Sequence, residues 1–191
     1  MKQEPLKSKL SGTIEMDETY VGGKRRKAGQ RGRPSVDSHK APVVALVQRN
    51  GKVISRHVGR VSAQNLKEIL CENVRKDANV MTDDFSAYDF VKKTHPKHDV
   101  IKHTGGTYSR REGKKRIHVN TVEGFFSLLK RGIHGSFHHV SKQHLQRYLS
   151  EFDFRYNARG VSDGERTVLA IKGVTGKRLT YRSARKKALA S

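Results

Sequence analysis

Five side chains in three separate parts of the chain could do chemistry together: Asp17, Asp83, Asn120, Glu123 and Lys130. Glu123 and Lys130 are seven residues apart, two helical turns, so on a helix both look the same way. Asn120 and Ser127 fall on the same stripe. A carboxylate and an ammonium displayed in a row suit a metal-bound phosphate, provided other parts of the chain bring more carboxylates. Asp17 and Asp83 are the candidates. Oxygen ligands are what Mg²⁺ prefers, and Mn²⁺ can substitute for it. A structural reading competes at one point. Asn120 followed by Glu123 also has the spacing of a capping box, which would turn both side chains onto the helix's own first amides.

Each candidate needs an element to hold it. Residues 116–132 read as a helix whose other face, Val122, Phe125, Phe126, Leu129 and Ile133, recurs at core spacing. Asp17 lies in TIEMDETYV, 13–21, a strand pattern of alternating apolar residues, with Glu18 beside it. Asp83 closes the short apolar run Val80-Met81, and the carboxyl end of a strand is where α/β sheets place reactive groups. Asp83 is assigned to the site and Asp84 to the turn that follows. Between these lie VVALV (43–47) and KVISRHV (52–58), joined through Arg49-Asn50-Gly51, a hairpin signal. A helix over 62–74 is capped by Ser62, a strand runs from His98 to His103, and 104–115 reads as a loop. A last helix spans 141–157 with Ser141 as cap. Residues 1–12 read as an N-terminal tail. Residues 158–191 read as a basic tail, mostly mobile, with room for a short helix.

The composition narrows the partner. The 191 residues hold 40 Lys and Arg against 18 Asp and Glu, a formal charge of +22. Such a surplus repels itself unless a polyanion neutralises it, and nucleic acid is the expected partner. Lys24, Arg25, Arg26, Lys27, Arg31 and Arg33 crowd a basic loop, 22–41, and Lys114, Lys115, Arg116, Lys130 and Arg131 cluster around the 116–132 helix. These eleven are the candidate DNA contacts. Cys71 is the only cysteine, which excludes an internal disulfide and a cysteine-built zinc site. His134, His138, His139 and His144 have zinc-like spacings, but exposed or phosphate-contacting roles fit them better. No run of eighteen apolar residues suggests a membrane span.

The element order is three strands, helix, strand, helix, strand, helix, helix, with acids on the first strand, after the fourth and on a late helix. This is the order of a ribonuclease H-like core, one α/β domain over 13–157 with a mixed five-stranded sheet flanked by helices. Five blocks in order make the resemblance specific: IEMDETYVGGK (14–24), TDDFSAY (82–88), HVNTVEGFFSLLKRGIHG (118–135), HHVSKQHL (138–145) and YLSEFDFRYNAR (148–159). The chain resembles the ISXO-type insertion-sequence transposases of the DDE group. The resemblance implies a metal-dependent nuclease and strand transferase that cuts transposon ends and joins them to target DNA. It implies Asp17 and Asp83 as the first two metal ligands. For the third it leaves two positions open. Members are described with Asn, which points to Asn120, whereas the spacing to Lys130 and the charge of a carboxylate favour Glu123. The metal set is therefore read as Asp17, Asp83 and Glu123, with Asn120 in the site and Lys130 on the DNA phosphate. Also implied are a DNA-assembled homodimer, a bacterial cytoplasmic, nucleoid-associated location, and an N-terminal DNA-reading region absent from this sequence, as in a truncated copy. A non-catalytic basic remnant and an RNA–DNA hybrid nuclease are the competing readings.

Overall fold

The computed structural model describes residues 8–22, 40–102, 109–113, 115–174 and 176. The basic loop from Lys24 to Arg33 and Lys114 lie outside them. Five strands form one sheet: β1 (Thr13–Val21), β2 (Ala41–Gln48), β3 (Val53–His57), β4 (Asn79–Asp83) and β5 (His98–Ile101), in the order β3-β2-β1-β4-β5. β1 and β2 are antiparallel, as are β2 and β3, while β1–β4 and β4–β5 are parallel. The sheet is therefore mixed and five-stranded, as the sequence predicts. β2 is buried along almost its whole length, which explains its unbroken apolar run.

Alternation along β1 feeds two cores. Ile14 and Met16 join Val44, Leu46, Leu66, Leu70 and Val80 beneath α1 (Ala63–Asn73). Val21 joins Val43, Ala45, Val47 and the apolar faces of α3 (Asn120–Gly132) and α4 (Lys142–Asn157). Ser62 caps α1 as expected, accepting from the Asn65 amide at 3.3 Å. After β4 come a 3₁₀ turn, Ser86–Tyr88, and the short α2, Val91–Thr94.

Four segments differ from the sequence reading. Residues 8–12 are not a loose tail: Leu10 is buried and exchanges backbone hydrogen bonds with Asn73 and Arg75. The stretch 104–115, read as a loop, contributes to a hairpin of β6 (Arg110–Glu112) and β7 (Lys115–Ile117). That hairpin takes the residues expected to open the helix, so α3 begins at Asn120 instead of 116. Within 158–174, read as tail, α5 forms over Asp163–Val174. Its signal was in the sequence. Ser162 and Glu165 make a reciprocal capping box, with the Glu165 amide donating to Ser162 Oγ at 3.3 Å and the Ser162 amide to Glu165 Oε2 at 3.0 Å.

α4 lies along the outer edge of the sheet and satisfies it with side chains. Asn157 accepts from the Val53 amide at 2.7 Å and donates to the Val53 carbonyl at 3.0 Å. Asp153 accepts from the Ser55 amide at 2.8 Å and from Ser55 Oγ at 2.6 Å. Gln146 serves the Ser55 carbonyl and the His57 amide. These side chains meet every second residue of β3, the positions a sixth strand would use, so the edge is closed to pairing. Gly132 lets α3 approach α4, since a Cβ there would stand 2.3 Å from Phe152 Cζ.

Burial pushes the Asp153 carboxyl up to about 7, against the pull of its Ser55 hydrogen bonds. The folded protein thus keeps a proton on Asp153 to near neutrality, whereas the unfolded chain releases it near pH 4. The sign follows: this contribution to stability is full below pH ~4 and declines as pH rises toward ~7, by an amount on the order of a few kcal/mol. Asp153→Asn can accept from the Ser55 amide and donate to Ser55 Oγ without a charge, so denaturant unfolding of that variant should lack this decline. An unchanged pH slope would contradict the assignment.

Candidate active site

The site is built on Glu15, a residue the sequence reading passed over. Glu15 is fully buried on the face of β1 that meets α3. Its Oε2 accepts from the Thr121 amide at 2.7 Å and the Val122 amide at 3.1 Å, and its Oε1 accepts from Thr121 Oγ1 at 2.8 Å. The first amides of a helix have no partner within the helix, and their partial positive charge favours an anion. Here a carboxylate from a strand 106 positions earlier in the chain supplies it. The Asn120 amide donates to His118 Nδ1 at 3.2 Å, and Glu123 begins the regular ladder by donating to the Val119 carbonyl. The amides at the start of α3 are thereby accounted for, and neither side chain of the proposed Asn120–Glu123 capping box takes part. The N-cap position is Val119, which has no side-chain bond to offer.

Arg49 completes the arrangement. Its Nε donates to Glu15 Oε1 at 2.6 Å, and its Nη1 and Nη2 donate to the carbonyls of Arg116 and His118 at 2.7 and 3.0 Å. One guanidinium thus ties the β2–β3 turn to the chain entering α3 and neutralises the buried carboxylate. His118 Nδ1 also stands 3.3 Å from Glu15 Oε1. That contact is not an ion pair. Nδ1 already accepts from a fixed backbone donor, and burial, reinforced by Arg49 and Arg116, holds the imidazole below its ordinary value despite the pull of Glu15. The Asn120 amide pointing at Nδ1 fits the tautomer with its proton on Nε2.

Asp17 lies two residues beyond Glu15 on the same face of β1 and is half-buried. Glu18 turns to the opposite face, where Tyr88 Oη donates to its Oε2 at 2.5 Å. The Asp17-Glu18 pair is therefore divided by the pleat. Asp83 ends β4, the parallel neighbour of β1. The β1–β4 ladder runs from Thr13 opposite Asn79 to Glu15 opposite Met81, and Asp17 and Asp83 each lie two residues beyond its last pair. Asp83 Oδ1 accepts from the Phe85 amide at 3.2 Å. The turn after β4 is thus held by Asp83 itself and not by Asp84, a correction to the sequence reading. Beside it a cavity of about 310 Å³ is lined by Asp83, Asp84, Asp89 and His98, among others.

On α3, Glu123 lies in the first turn, half-buried, and its carboxylate has no hydrogen bond or ion pair among the described residues. Asn120 is exposed at the helix start. Lys130 and Arg131 are exposed in the last turn, where cations also suit the helix dipole. Lys115 and Arg116 are exposed on β7, with Lys115 paired to Asp99. The structure thus puts Asp17 and Asp83 on adjoining strands and sets the first turn of α3 over the Glu15 face of β1. It does not close all three carboxylates into one cluster: among the described residues no three His, Cys, Asp or Glu side chains are grouped to hold a metal ion. His134, His138, His139 and His144 form no such group either.

Residues 9–157 match the ISXO2-like transposase domain. The chain belongs to that family. This transposase domain is also 29% identical, over 106 residues, to an uncharacterized transposase-like protein of Haemophilus influenzae, a stretch covering 56% of this chain and 81% of the relative. The match begins at residue 9, just before the buried Leu10, and ends at Asn157, the α4 residue that closes β3.

The Glu15 arrangement makes a direct prediction for the transposase domain. Glu15→Ala leaves two helix amides and the Arg49 guanidinium without their partner and should cost ~3–5 kcal/mol in denaturant unfolding. Glu15→Gln keeps an acceptor for the amides and should cost clearly less. Equal losses would mean that Glu15 matters only as packed volume.

Proposed function

We propose that this chain is the catalytic core of a DNA transposase. It cuts phosphodiester bonds at the ends of an insertion element and transfers the strands to target DNA with the aid of Mg²⁺, or Mn²⁺ in its place. The observation that supports this reading is that Asp17 and Asp83 lie on the adjoining parallel strands β1 and β4, with the first turn of α3, which carries Glu123, tied to β1 through Glu15. The strand order, with one antiparallel side and one parallel side about β1, supports a ribonuclease H-like core over 13–157.

The donor set fits the metal. Asp17, Asp83 and Glu123 offer only oxygen, and Mg²⁺ commonly takes one or two carboxylates while keeping water and substrate phosphate. Bound there, the metal would supply charge to activate an attacking hydroxyl and to stabilise the leaving oxygen. The protein's own part is positioning. Asp17 is held by the β1 ladder and Asp83 by its turn. Glu123 is held through the tie between Glu15 and α3. Asn120, one turn before Glu123 on the same stripe, orients groups at the edge of the site. Lys130 lies ~10 Å further along the helix and holds a phosphate of the bound strand. Lys115, Arg116 and Arg131, with Lys114 and the six cations of the 22–41 loop, neutralise the DNA backbone. Two copies assembled on paired ends would join both strands, with a separate DNA-reading region choosing the ends. No helix among the described residues is long and apolar enough to cross a membrane, and a bacterial cytoplasmic, nucleoid-associated place suits a DNA substrate.

Nicking of supercoiled plasmid and joining of labelled duplex, with Mg²⁺ or Mn²⁺, test the reading. Asp17→Asn and Asp83→Asn should each reduce cleavage by at least ~10²-fold while leaving salt-dependent DNA binding in place. Comparing Glu123→Gln with Asn120→Ala decides the third ligand: the larger loss, partly recovered by Mn²⁺, marks it. Activity in EDTA, or activity that survives Asp83→Asn, would overturn the site. Binding without cleavage under either metal would leave a passive DNA-binding protein.

A further inference from the structure

α5 is amphipathic the wrong way round. The residues it turns toward α4 are Asp163, Arg166, Thr167 and Ala170, which line a groove with Glu151 and Phe154. Its large apolar side chains face outward: Val168, Leu169, Ile171 and Val174 are 49%, 46%, 62% and 48% exposed. The helix buries no residue at all. Twelve residues capped at one end do not hold a helix in water by propensity alone, so this face requires a cover.

The pattern on that face indicates what covers it. Glu165, Val168, Leu169 and Lys172 stand at i, i+3, i+4 and i+7 and form one stripe, with Ile171 beside it. The stripe is its own complement when reversed. In an antiparallel pair crossing between positions 168 and 169, Glu165 meets Lys172 of the other copy, and Val168 meets Leu169. The helix holds two acids and two bases and is neutral, on a chain of formal charge +22. Elsewhere two copies repel; here they do not. The sequence from 177 onward, with six Lys and Arg and three large apolar residues, is a poor apolar cover, and nucleic acid offers no matching surface.

We propose that α5 is a self-association element: two copies of this chain pair through antiparallel α5 helices about a twofold axis, using the Glu165-Val168-Leu169-Lys172 stripe. This goes beyond DNA-assembled pairing, because it requires no DNA. Glu165 can serve both roles, since its cap uses Oε2 and leaves Oε1 for the partner's lysine.

Sedimentation of the full chain without DNA, at ~0.15 M salt, tests the proposal. The unaltered protein should be a dimer. Val168→Glu and Leu169→Glu should each weaken the dimer more than tenfold. Glu165→Gln, which keeps the capping geometry, and Lys172→Gln should each weaken it a few-fold, and the double variant should be no weaker than either single one. A monomer at every concentration, a dimer indifferent to Val168→Glu and Leu169→Glu, or additive Gln effects would overturn it. Should the Glu variants lose helix by circular dichroism, the Gln cycle decides. Cleavage assays on the same variants separate this from the chemistry: a lost dimer does not bear on Asp17 and Asp83, and inactive Asp83→Asn protein should still dimerise.

Discussion

The buried carboxylate of Glu15 is the interaction on which the rest of the site depends. A helix laid on a sheet by apolar contact alone has some freedom to slide, because apolar contact is not directional. Hydrogen bonds from two consecutive amides and a hydroxyl to one carboxylate remove that freedom. They fix the first turn of α3 at one residue of β1, and Asp17 is the next residue of β1 on that face. Burying a charge so fully is costly unless it is paired, and Arg49 supplies the pairing from the β2–β3 turn. The same guanidinium holds the chain that leads into α3. Strand, turn and helix are thereby held at a single point.

The remaining helices keep the sheet in place around that point. α1 covers one face. α4 shares the other with α3 and closes the edge of β3 through Asn157, Asp153 and Gln146. Polar side chains are thus spent on backbone groups that would otherwise recruit a foreign strand. The close approach at Gly132 sets α3 and α4 against each other, so the far end of α3, with Lys130 and Arg131, is supported by packing, while its near end is supported by charge. α5 stands apart, with its apolar side turned away from all of this.

Most of this was legible in the sequence where a local pattern and its structural cause coincide. The five strands, the Ser62 cap, the apolar face of α3 and the position of Asp83 at a strand end follow from periodicity and from turn residues. The rest failed for identifiable reasons. Glu15 sits in an alternating strand, and nothing local marks it as the cap of a helix a hundred residues away. The Asn120–Glu123 spacing matched a capping box, but the Asn120 amide goes to His118 Nδ1 and the Glu123 amide to the Val119 carbonyl. The reading of 104–115 as loop came from Gly and Ser content that masked two three-residue strands, each too short to show a period. α5 announced itself through Ser162 and Glu165. The tail reading left room for a short helix without placing it, because basic composition suggested disorder and its apolar residues join no core among the described residues.

The long reach of the Glu15 tie also sets an order in time. Thr121 and Val122 are 106 and 107 positions beyond the carboxylate that receives them. Contacts of such separation form late, after the loop-closure entropy of everything between has been met. A growing chain can complete β1, the β2–β3 hairpin and α1 from its own recent residues. It cannot set the first turn of α3 on Glu15 until nearly two thirds of the sequence has been made. Partly synthesised chains therefore carry a large positive charge before the first turn of α3 has its partner on β1.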